Sequence, residues 1–526
     1  MIHLKRYLLP RTDVNGFGTA IEQWSNQNKH TFLKGEVSMA SLLEQCKAKS
    51  TTYSSAHRKI LSSYLSYQYS KSSTTEAQES NLRHLAKGNT LTITTGHQLS
   101  LGLGPLFLIY KALHVINLCE QLNKEQTEYH LVPVFWLASE DHDFEEIKST
   151  QFFHKDFAWE SNQTGPVGRF ETSGLNETYQ AMLSLFQQEA RDEFTALFQV
   201  SEGRYVEHYK TLLNKVFGSY GLLIVDGDNP ELKRMIIPLM QKELETQFVF
   251  EHVNRTNQEL LDAGLKTQAY VRPINLFYMT EGKRSRIIPS SDGFLIDEIA
   301  WKKDVLFKEL TEFTERFSPN VLFRPIYQEC ILPNICYVGG SGEMAYWAQL
   351  KSTFSAANVE FPLIQTRISA LITPDYIDES VLPSYFIDLS GQIETLLSKQ
   401  SKRDAVFNEI DKELINLKLR MSEGISSFGN EATKWCGAQQ ASIDSSISHY
   451  KQRWQKEEKQ QLDTQIKRLE RIHRELYPNK VPQERQMNLL HFCGKHSIHE
   501  WVEALQGLIN PFSQDIHIFV KAHETE

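Results

Sequence analysis

Short apolar runs alternate with longer helical patterns over the first 375 residues. Strand-like runs follow a mainly helical first ninety residues and lie at 91–95, 130–137, 221–225, 270–278, 321–325, 331–338 and 361–365. Most of these runs end in a polar or glycine-rich turn, and helical patterns follow several of them. Strands alternating with helices predict an α/β fold with a doubly wound, mostly parallel sheet. The polar strand ends are then expected to meet at one crevice, where such folds bind ligands.

A coiled-coil pattern begins after residue 376. Apolar positions follow 3,4 spacing over 393–421, stop at 422–429 and resume over 443–476, with a one-residue slip near Glu458. Two long helices joined by a turn predict an antiparallel coiled-coil arm, and Pro478 ends it.

Three parts of the chain follow from these patterns. We expect a core at 1–375 with inserted connecting segments, an arm at 376–478, and a tail at 479–526 whose helix and strand return to the core. The arm's apolar seam is predicted at Phe407, Ile410, Leu414 and Leu417. Because a hairpin can leave part of its surface for a second subunit, a dimer is also expected.

Composition narrows the class of protein. The 526 residues are 40% hydrophobic, with 56 Lys+Arg against 65 Asp+Glu and a formal net charge of -9. This balance argues against nucleic-acid binding through bulk charge. No apolar stretch of membrane-spanning length occurs, so no membrane segment is expected. The six scattered cysteines form no CxxC pair, which predicts no zinc site, reduced thiols and a cytoplasmic location.

An acidic cluster follows the 130–137 run directly. Glu140, Asp141, His142 and Asp143 place three carboxylates and an imidazole in four consecutive residues. Like charges so close repel one another, and this repulsion lowers the stability of the fold unless a bound group offsets it. The cluster could recognise an ammonium group, contact a magnesium nucleotide, or use His142 as a general base. The alternative is a set of acidic caps for the next helix.

A glycine-rich loop after the first strand is a second candidate. Gly96, Gly102 and Gly104 permit close backbone approach, and a helix N-terminus after them favours an anion. His97 could donate a hydrogen bond to a phosphate or act as an acid, and Gln98 offers an amide. The glycine spacing matches neither the dinucleotide-binding nor the P-loop pattern. A tight strand–helix turn without a ligand remains the alternative.

Two further sites are weaker. A possible anion or nucleotide cradle consists of Gly339, Gly340, Ser341, Gly342 and Glu343. Arg367 follows the last strand of the core and could hold a phosphate, with Ser369 nearby. Glycine turns and surface arginines are common, so each has a purely structural alternative.

Several segments, taken in order, resemble one family. They are Thr-Thr-Gly-His-Gln at 94–98, Gly-Pro-Leu-Phe-Leu-Ile-Tyr-Lys at 104–111, Val-Pro-Val-Phe-Trp at 132–136, Ser-Glu-Asp-His-Asp-Phe-Glu-Glu at 139–146, Val-Arg-Pro-Ile-Asn at 271–275, Ser-Pro-Asn-Val-Leu at 318–322, Arg-Pro at 324–325, Leu-Pro-Asn at 332–334 and Gly-Gly-Ser-Gly-Glu at 339–343. Over nearly its whole length the chain is similar to the BshC family, the cysteine ligases of bacillithiol biosynthesis.

The resemblance implies a fold and an activity. The activity is addition of L-cysteine to glucosaminyl-malate, the last step of bacillithiol synthesis. The fold is a Rossmann-like core related to class I aminoacyl-tRNA synthetases and nucleotidyltransferases, with a homodimer joined through the coiled coil. ATP is the implied cofactor that activates the carboxylate, with or without Mg²⁺. The histidine signature that such relatives carry at the first strand–helix turn is absent from residues 102–105.

The resulting hypothesis assigns roles to the candidate residues. Asp141, His142 and Asp143 are catalytic, with His142 or a nearby carboxylate accepting the proton of the attacking amine. Asp141 or Glu140 holds the cysteine ammonium, and the glycine loops, Asn275, Arg367 and Ser369 bind substrate or nucleotide. Two rival hypotheses are a nucleotidyltransferase acting on another small molecule and a non-catalytic coiled-coil scaffold in thiol metabolism.

Overall fold

The computed structural model describes residues 2–17, 24, 26–375, 377, 379–386, 389–400 and 403–521, with the backbone alone for Glu189 and for 379–381 and 395–400. Two compact units are present. One comprises Met1–Thr12, Gly16–Asp375 and Val481–Glu526, and the other comprises Asp13–Asn15 and Tyr376–Lys480. Tyr376, the first residue of the predicted arm, lies outside the described residues.

The strands belong to the first unit. They are β1 (Leu4–Leu9), β2 (Thr90–His97), β3 (His130–Leu137), β4 (Ser149–Phe152), β5 (Lys155–Ala158), β6 (Leu223–Asp226), β7 (Leu276–Thr280), β8 (Lys283–Arg286), β9 (Ile288–Ser290), β10 (Gly293–Ile296), β11 (Ile299–Lys302), β12 (Phe317–Pro319), β13 (Asn334–Gly339), β14 (Leu363–Thr366), β15 (Ser369–Ile372) and β16 (Ile516–Lys521).

The helices are distributed over both units. They are α1 (Asn26–Leu33), α2 (Met39–Thr52), α3 (Ser55–Ser70), α4 (Glu76–Leu85), α5 (Leu106–Glu125), α6 (Leu175–Leu183), α7 (Gln188–Leu197), α8 (Tyr205–Phe217), α9 (Pro230–Arg234), α10 (Ile237–Thr246), α11 (Phe248–Asp262), α12 (Lys303–Glu312), α13 (Arg324–Ile331), α14 (Ser341–Ala348), α15 (Lys351–Ala357), α16 (Leu389–Gln400), α17 (Arg403–Ile425), α18 (Asn430–Leu476), α19 (Leu490–Cys493) and α20 (Ile498–Gln506).

The central sheet confirms the predicted parallel α/β fold. Its five strands are ordered β14-β13-β2-β3-β6, and every neighbouring pair is parallel. Successive side chains of a strand point to opposite faces, so each strand contributes to two cores. On β3, Leu131 and Phe135 join one apolar cluster, whereas Val134 and Trp136 join the other. Burial on both faces explains the near-continuous apolar runs.

Three smaller sheets and one hairpin surround this sheet. Strand β16 lies between β1, to which it is antiparallel, and β15, to which it is parallel. The strand predicted in the tail is therefore present as β16, whereas β1 lies in a segment expected to be mainly helical. The β7–β8 hairpin pairs with β12, β9–β11 form another antiparallel sheet, and β4 pairs with β5.

Two predicted strands differ from the structure. The run at 321–325 forms no strand, because the Asn320 side chain accepts hydrogen bonds from the Leu322 and Phe323 N–H groups, and α13 begins at Arg324. The run at 270–278 is extended only from Leu276, where β7 begins. Pro and Asn favour turns over a strand interior; both occur within 270–278, whereas Asn320 precedes the other run and a proline ends it.

The second unit contains the predicted antiparallel helix pair. Phe407 of α17 packs edge-to-face on Trp454 of α18 with ring centroids 5.6 Å apart, and Asp411 pairs with Lys451 at 2.6 Å. Nearer the turn, the Gln440 amide donates to the Lys418 carbonyl at 3.0 Å. Contacts that run down one helix as they run up the other define an antiparallel hairpin.

The seam of this hairpin differs by one residue from its prediction. Phe407 is buried and Ile410 and Leu414 are half-buried, but Leu417 is 46% exposed and Lys418 occupies the next inward position. Lys418 pairs with Asp444 across the seam. The side chains of two other positions in the pattern, Leu396 and Gln400, lie outside the described residues.

No helix among the described residues is long and apolar enough to cross a bilayer.

Candidate active site

The carboxyl ends of the parallel strands form one polar edge. In spatial order the strands end at Thr366, Gly339, His97, Leu137 and Asp226. The order of the strands reverses between β13 and β2, because β3 and β6 lie on one side of β2 and the later strands on the other. Doubly wound sheets bind ligands at such a reversal. The structure thus brings the loops after β2 and β13 together, as the sequence predicts.

A buried ion pair joins these two loops. The Lys111 ammonium of α5 donates to the Gly96 carbonyl at 2.9 Å and to the Glu343 carboxylate. Glu343 also accepts hydrogen bonds from the Tyr337 hydroxyl at 2.5 Å and the Gly340 N–H at 2.8 Å. Burial alone would raise the pKa of Glu343, but Lys111 and these donors lower it to about 2. Glu343 therefore holds the site together, and its carboxylate is committed to internal partners.

His97 lies at the end of β2 as a neutral imidazole. Burial, reinforced by the nearby Lys111 ammonium, lowers the pKa of His97 to about 4. Its Nδ1 is 3.0 Å from the Gln98 carbonyl oxygen, which can only accept, so Nδ1 carries the proton. Nε2 is then left with a lone pair. The hypothesis that His97 donates to a phosphate is not supported at neutral pH, where its free nitrogen accepts.

Glu140 of the acidic cluster and Asp228 at the end of β6 are paired with basic side chains from distant segments. Lys233 of α9 is fully buried and pairs with Glu140 at 2.6 Å and with Asp228 at 2.8 Å. Arg169 makes two hydrogen bonds to Asp228, at 2.6 and 2.8 Å. Burial raises the pKa of Glu140, although Lys233 opposes the shift. The fold itself therefore supplies a cation for Glu140, so this carboxylate needs no ligand to offset its charge.

The tip of the cluster is more open. Asp141 accepts a hydrogen bond from the Gln98 amide at 2.6 Å, and its other oxygen accepts the His142 N–H at 2.8 Å. His142 is exposed, and its Nδ1 lies 3.3 Å from Nη1 of Arg284. An arginine only donates, so Nδ1 accepts and the His142 proton resides on Nε2. Asp143 is exposed beside it.

The loop after β13 forms an open glycine cradle at the start of α14. A Cβ built on Gly339 would lie 2.9 Å from Cβ of Glu343, so this position requires glycine. A Cβ on Gly342 would meet only the Gln268 amide, at 3.9 Å. Ser341 is half-buried and Gly342 is exposed. Backbone N–H groups at the start of a helix can approach an anion here.

The other two glycines are not brought to this crevice. Gly102 and Gly104 are buried with φ of 60° and 61°, and both carbonyls accept hydrogen bonds from the Asn488 amide. The first N–H of α5, on Leu106, donates to the Met487 carbonyl at 2.8 Å. The tail thus occupies the helix N-terminus that was expected to hold an anion, which favours the alternative of a tight turn.

Three predicted ligand-binding residues have structural partners instead. Arg367 forms a buried, two-pronged pair with Glu484 of the tail at 2.9 and 2.6 Å, and Ser369 is buried against Arg367. Asn275 is fully buried and donates to the Glu243 carboxylate at 2.9 Å. Because each of these polar groups is satisfied inside the protein, the structure favours the purely structural alternative over their predicted role in binding substrate or nucleotide.

Four basic residues of the site were not predicted from the sequence to be functional: Lys111, Arg169, Lys233 and Arg284. Lys111 gave a usable signal, since it is the one charge in the apolar run 106–118 and a buried charge needs a partner. The other three lie in unremarkable sequence, and only the tertiary fold brings them to the strand ends.

Among the described residues, no group of three or more His, Cys, Asp or Glu side chains is arranged to hold a metal ion.

Comparisons with known proteins cover both units. Residues 16–368 match the model of the N-terminal Rossmann-like domain of bacillithiol biosynthesis BshC, and residues 382–520 match its C-terminal coiled-coil domain. A protein of Flavobacterium johnsoniae named "Putative cysteine ligase BshC" is 36% identical over 85% of this chain and 87% of its own length. Relatives with the same name from Christiangramia forsetii and Cytophaga hutchinsonii are 34% and 32% identical, over 89% and 88% of this chain and 90% and 88% of their own lengths. With its parallel sheet, its helical hairpin and these matches, the chain belongs to the BshC family of bacillithiol biosynthesis and is a ligase.

Proposed function

We propose that this protein joins the carboxyl group of L-cysteine to the amine of glucosaminyl-malate and uses ATP to drive amide formation. Relatives named as cysteine ligases support the choice of cysteine. The observation that carries the proposal is the meeting of a glycine cradle, a neutral imidazole and the acidic cluster along one sheet edge. Such an edge offers an anion site and proton acceptors side by side.

The residues at the cradle fit a nucleotide. Ser341 and Gly342, which follow Gly339 and Gly340, would hold its phosphates through their backbone N–H groups, and the exposed face of Gly342 leaves room for close approach. When bound, ATP supplies the activation that a free carboxylate needs. The Lys111–Glu343 pair holds the loop after β13 in place, and the Tyr337 hydroxyl of β13 donates a hydrogen bond to Glu343.

Proton transfer falls to side chains on the other side of the reversal. The amine of the sugar substrate must lose a proton to become part of an amide. His97 Nε2 is a neutral acceptor at the end of β2, and Asp141 offers a carboxylate held by Gln98. His142 presents Nε2–H and can orient an oxygen of either substrate. In this arrangement Glu140 keeps Lys233 in place and does not hold the cysteine ammonium.

We also propose that the protein is a homodimer joined through the arm. Several large apolar side chains of the hairpin stay exposed, namely Ile415, Leu417, Leu419, Phe428 and Trp435. A helical surface with this much exposed apolar area is typical of an interface between subunits.

A single reaction tests the catalytic proposal. Purified protein is incubated with ATP, L-cysteine and glucosaminyl-malate, and mass spectrometry follows the cysteinyl amide of the sugar. We expect product that requires both ATP and cysteine. Reactions that lack one component each provide the controls. Asp292→Asn, on an exposed turn outside the site, is a control variant that should form product as wild type does.

Two results would replace the proposal with a rival. A nucleotidylated product from a different small molecule would indicate a nucleotidyltransferase. Thiol production in cells that survives Asp141→Asn with His142→Ala, but not removal of the arm, would indicate a scaffold.

A further inference from the structure

An open cavity of about 530 Å³ adjoins the tip of the acidic cluster. Its walls are the 142–145 segment, the 161–165 loop and the turn of the β7–β8 hairpin. Pockets for small ligands measure about 300–1,000 Å³, so this one has room for a sugar with its substituent. His142 and Arg284 line the cavity at the side where they also contact each other. A ligand held here would therefore reach a predicted catalytic residue.

The lining has the chemistry that a polyhydroxylated ligand needs. Asp143 contributes a carboxylate and Asn162 an amide, and among the described residues neither side chain has a hydrogen-bond partner within the protein. Carboxylates accept hydrogen bonds from hydroxyl groups, and an amide both donates and accepts. Phe144 is half-buried at the cavity and packs on the buried Phe170, with ring centroids 5.3 Å apart. The exposed part of the Phe144 ring can pack against the apolar face of a sugar ring.

The cavity is built into the fold. Gly165 packs so closely on the hairpin turn that an added Cβ would lie 2.8 Å from the Gly282 carbonyl carbon. Two residues further on, the Val167 N–H donates to the Asp141 carbonyl at 2.7 Å. The C-terminal end of the 161–165 loop is thus held against both the hairpin and the acidic cluster. Preformed walls lower the entropy that binding must overcome.

Two other cavities lined by described residues suit this ligand less well. One, of about 150 Å³ beside Met344 and Thr366, is too small for an amino sugar with a malyl group. The other, of about 650 Å³, lies at Lys302–Phe307 on α12 and β11, and none of its lining residues belongs to the carboxyl ends of the parallel strands.

We propose that the cavity between 142–145, 161–165 and the β7–β8 turn is the subsite for the amino-sugar substrate. It holds the hexose through Asp143 and Asn162 and directs the amine toward His142 and the neighbouring Asp141, whose carboxylate accepts the proton. This inference rests on the proposed ligase function for the identity of the sugar.

The test measures binding apart from turnover. Asn162→Trp fills the cavity, and Asp143→Asn removes its unpartnered charge while keeping its shape. Calorimetry with glucosaminyl-malate alone is expected to show at least tenfold weaker binding for both variants. The Michaelis constant for cysteine should stay within twofold of wild type. Asp292→Trp, at the 650 Å³ cavity, is the matched control and should bind the sugar as wild type does.

The outcomes separate the subsite from the function. If wild type makes the amide but both variants bind glucosaminyl-malate normally, the subsite is overturned and the ligase stands. Should the variants lose binding while wild type forms no cysteine adduct with any nucleotide, the subsite stands and the ligase proposal falls. Absence of calorimetric binding to wild type overturns the subsite. The melting temperature of each variant shows whether it is folded, and Asp143→Asn decides if Asn162→Trp is not.

Discussion

At the residue scale, the chemistry of this site depends on which charged groups the fold has already paired. Glu140, Asp228 and Glu343 have internal cations within hydrogen-bond distance and serve to hold loops together. Asp141 and His142 lie at the open end, where a substrate can reach them. Charges that are fully paired stabilise geometry, whereas partly exposed groups remain available for proton transfer.

His142→Ala should lower the rate of amide formation without unfolding the protein. The side chain is exposed, so its loss removes little packing, but it removes the Nε2–H that would orient a substrate oxygen, and a misplaced reacting group costs about 10²-fold in rate. We expect at least a hundredfold fall in kcat/KM and a melting temperature close to wild type. Asp292→Asn, on an exposed turn outside the site, is the control. Undiminished turnover in His142→Ala would remove the residue from the mechanism.

Acid should destabilise the protein partly through His97. Its folded pKa of about 4 lies below the ordinary value of 6.5, so the unfolded chain takes up a proton first as the pH falls. The stabilisation is complete above pH 6.5 and is lost progressively toward pH 4. Between pH 7.5 and 5.0, wild type should lose about 2 kcal/mol more unfolding free energy than His97→Gln. Urea denaturation at both pH values measures this, and equal losses would contradict it.

Arg367 should act on stability and not on nucleotide binding. Breaking a buried ion pair costs about 3–5 kcal/mol because one charge is left without a partner. Arg367→Met is expected to lower the unfolding free energy by that amount, and Arg367→Met with Glu484→Met should recover part of it. A variant of wild-type stability that fails to bind ATP would restore the phosphate-binding hypothesis.

At the element scale, the start of α5 is fixed by the tail of the chain. The Asn488 amide holds the carbonyls of Gly102 and Gly104, and the Met487 carbonyl accepts the first helical N–H. Two left-handed glycines allow the chain to turn from β2 into the helix within this contact. The tail therefore fixes where α5 begins, and Lys111 lies on that helix.

Gly104→Ala should be a stability variant. A Cβ at this position would lie 2.7 Å from Cβ of Ser100, and φ of 61° is unfavourable for alanine. We expect a lower melting temperature, with glucosaminyl-malate binding retained by the folded fraction in calorimetry. Gly88→Ala, where an added Cβ meets nothing within 4 Å, is the matched control. Lost ligand binding at unchanged stability would return the anion site to this loop.

At the scale of the whole molecule, the arm and the core are separate compact units that differ in how much apolar surface they bury. The core has two apolar clusters on the faces of its sheet, whereas the hairpin has one narrow seam and leaves large apolar side chains in solvent. Association with a second copy would bury these side chains and stabilise the arm.

Light scattering should give about twice the chain mass of 60.8 kDa at micromolar concentration. Ile415 and Leu419 are 60% and 57% exposed, so Ile415→Glu with Leu419→Glu should yield monomers without disrupting the hairpin. Asn416→Glu, an exposed polar position between them, should remain dimeric. A monomeric wild type would remove the proposal of an arm-mediated dimer.

The sequence by itself determined the parallel core, the helical hairpin and the order of the family's motifs. Local periodicity is enough for these, because a strand buried on both faces and a two-helix seam each leave a pattern in consecutive residues. It failed at 321–325, where a single Asn side chain favours a turn, and at Leu417, where the seam shifts to Lys418.

Only the tertiary structure decided what the polar residues do. The cations that neutralise Glu140 and Asp228 come from α9 and from Arg169, and the partner of Arg367 comes from the tail more than a hundred residues away. Whether a carboxylate is paired, or an imidazole such as His97 is neutral, depends on burial and on groups distant in sequence. Electrostatic interactions act through space, and periodicity along a chain carries no record of them.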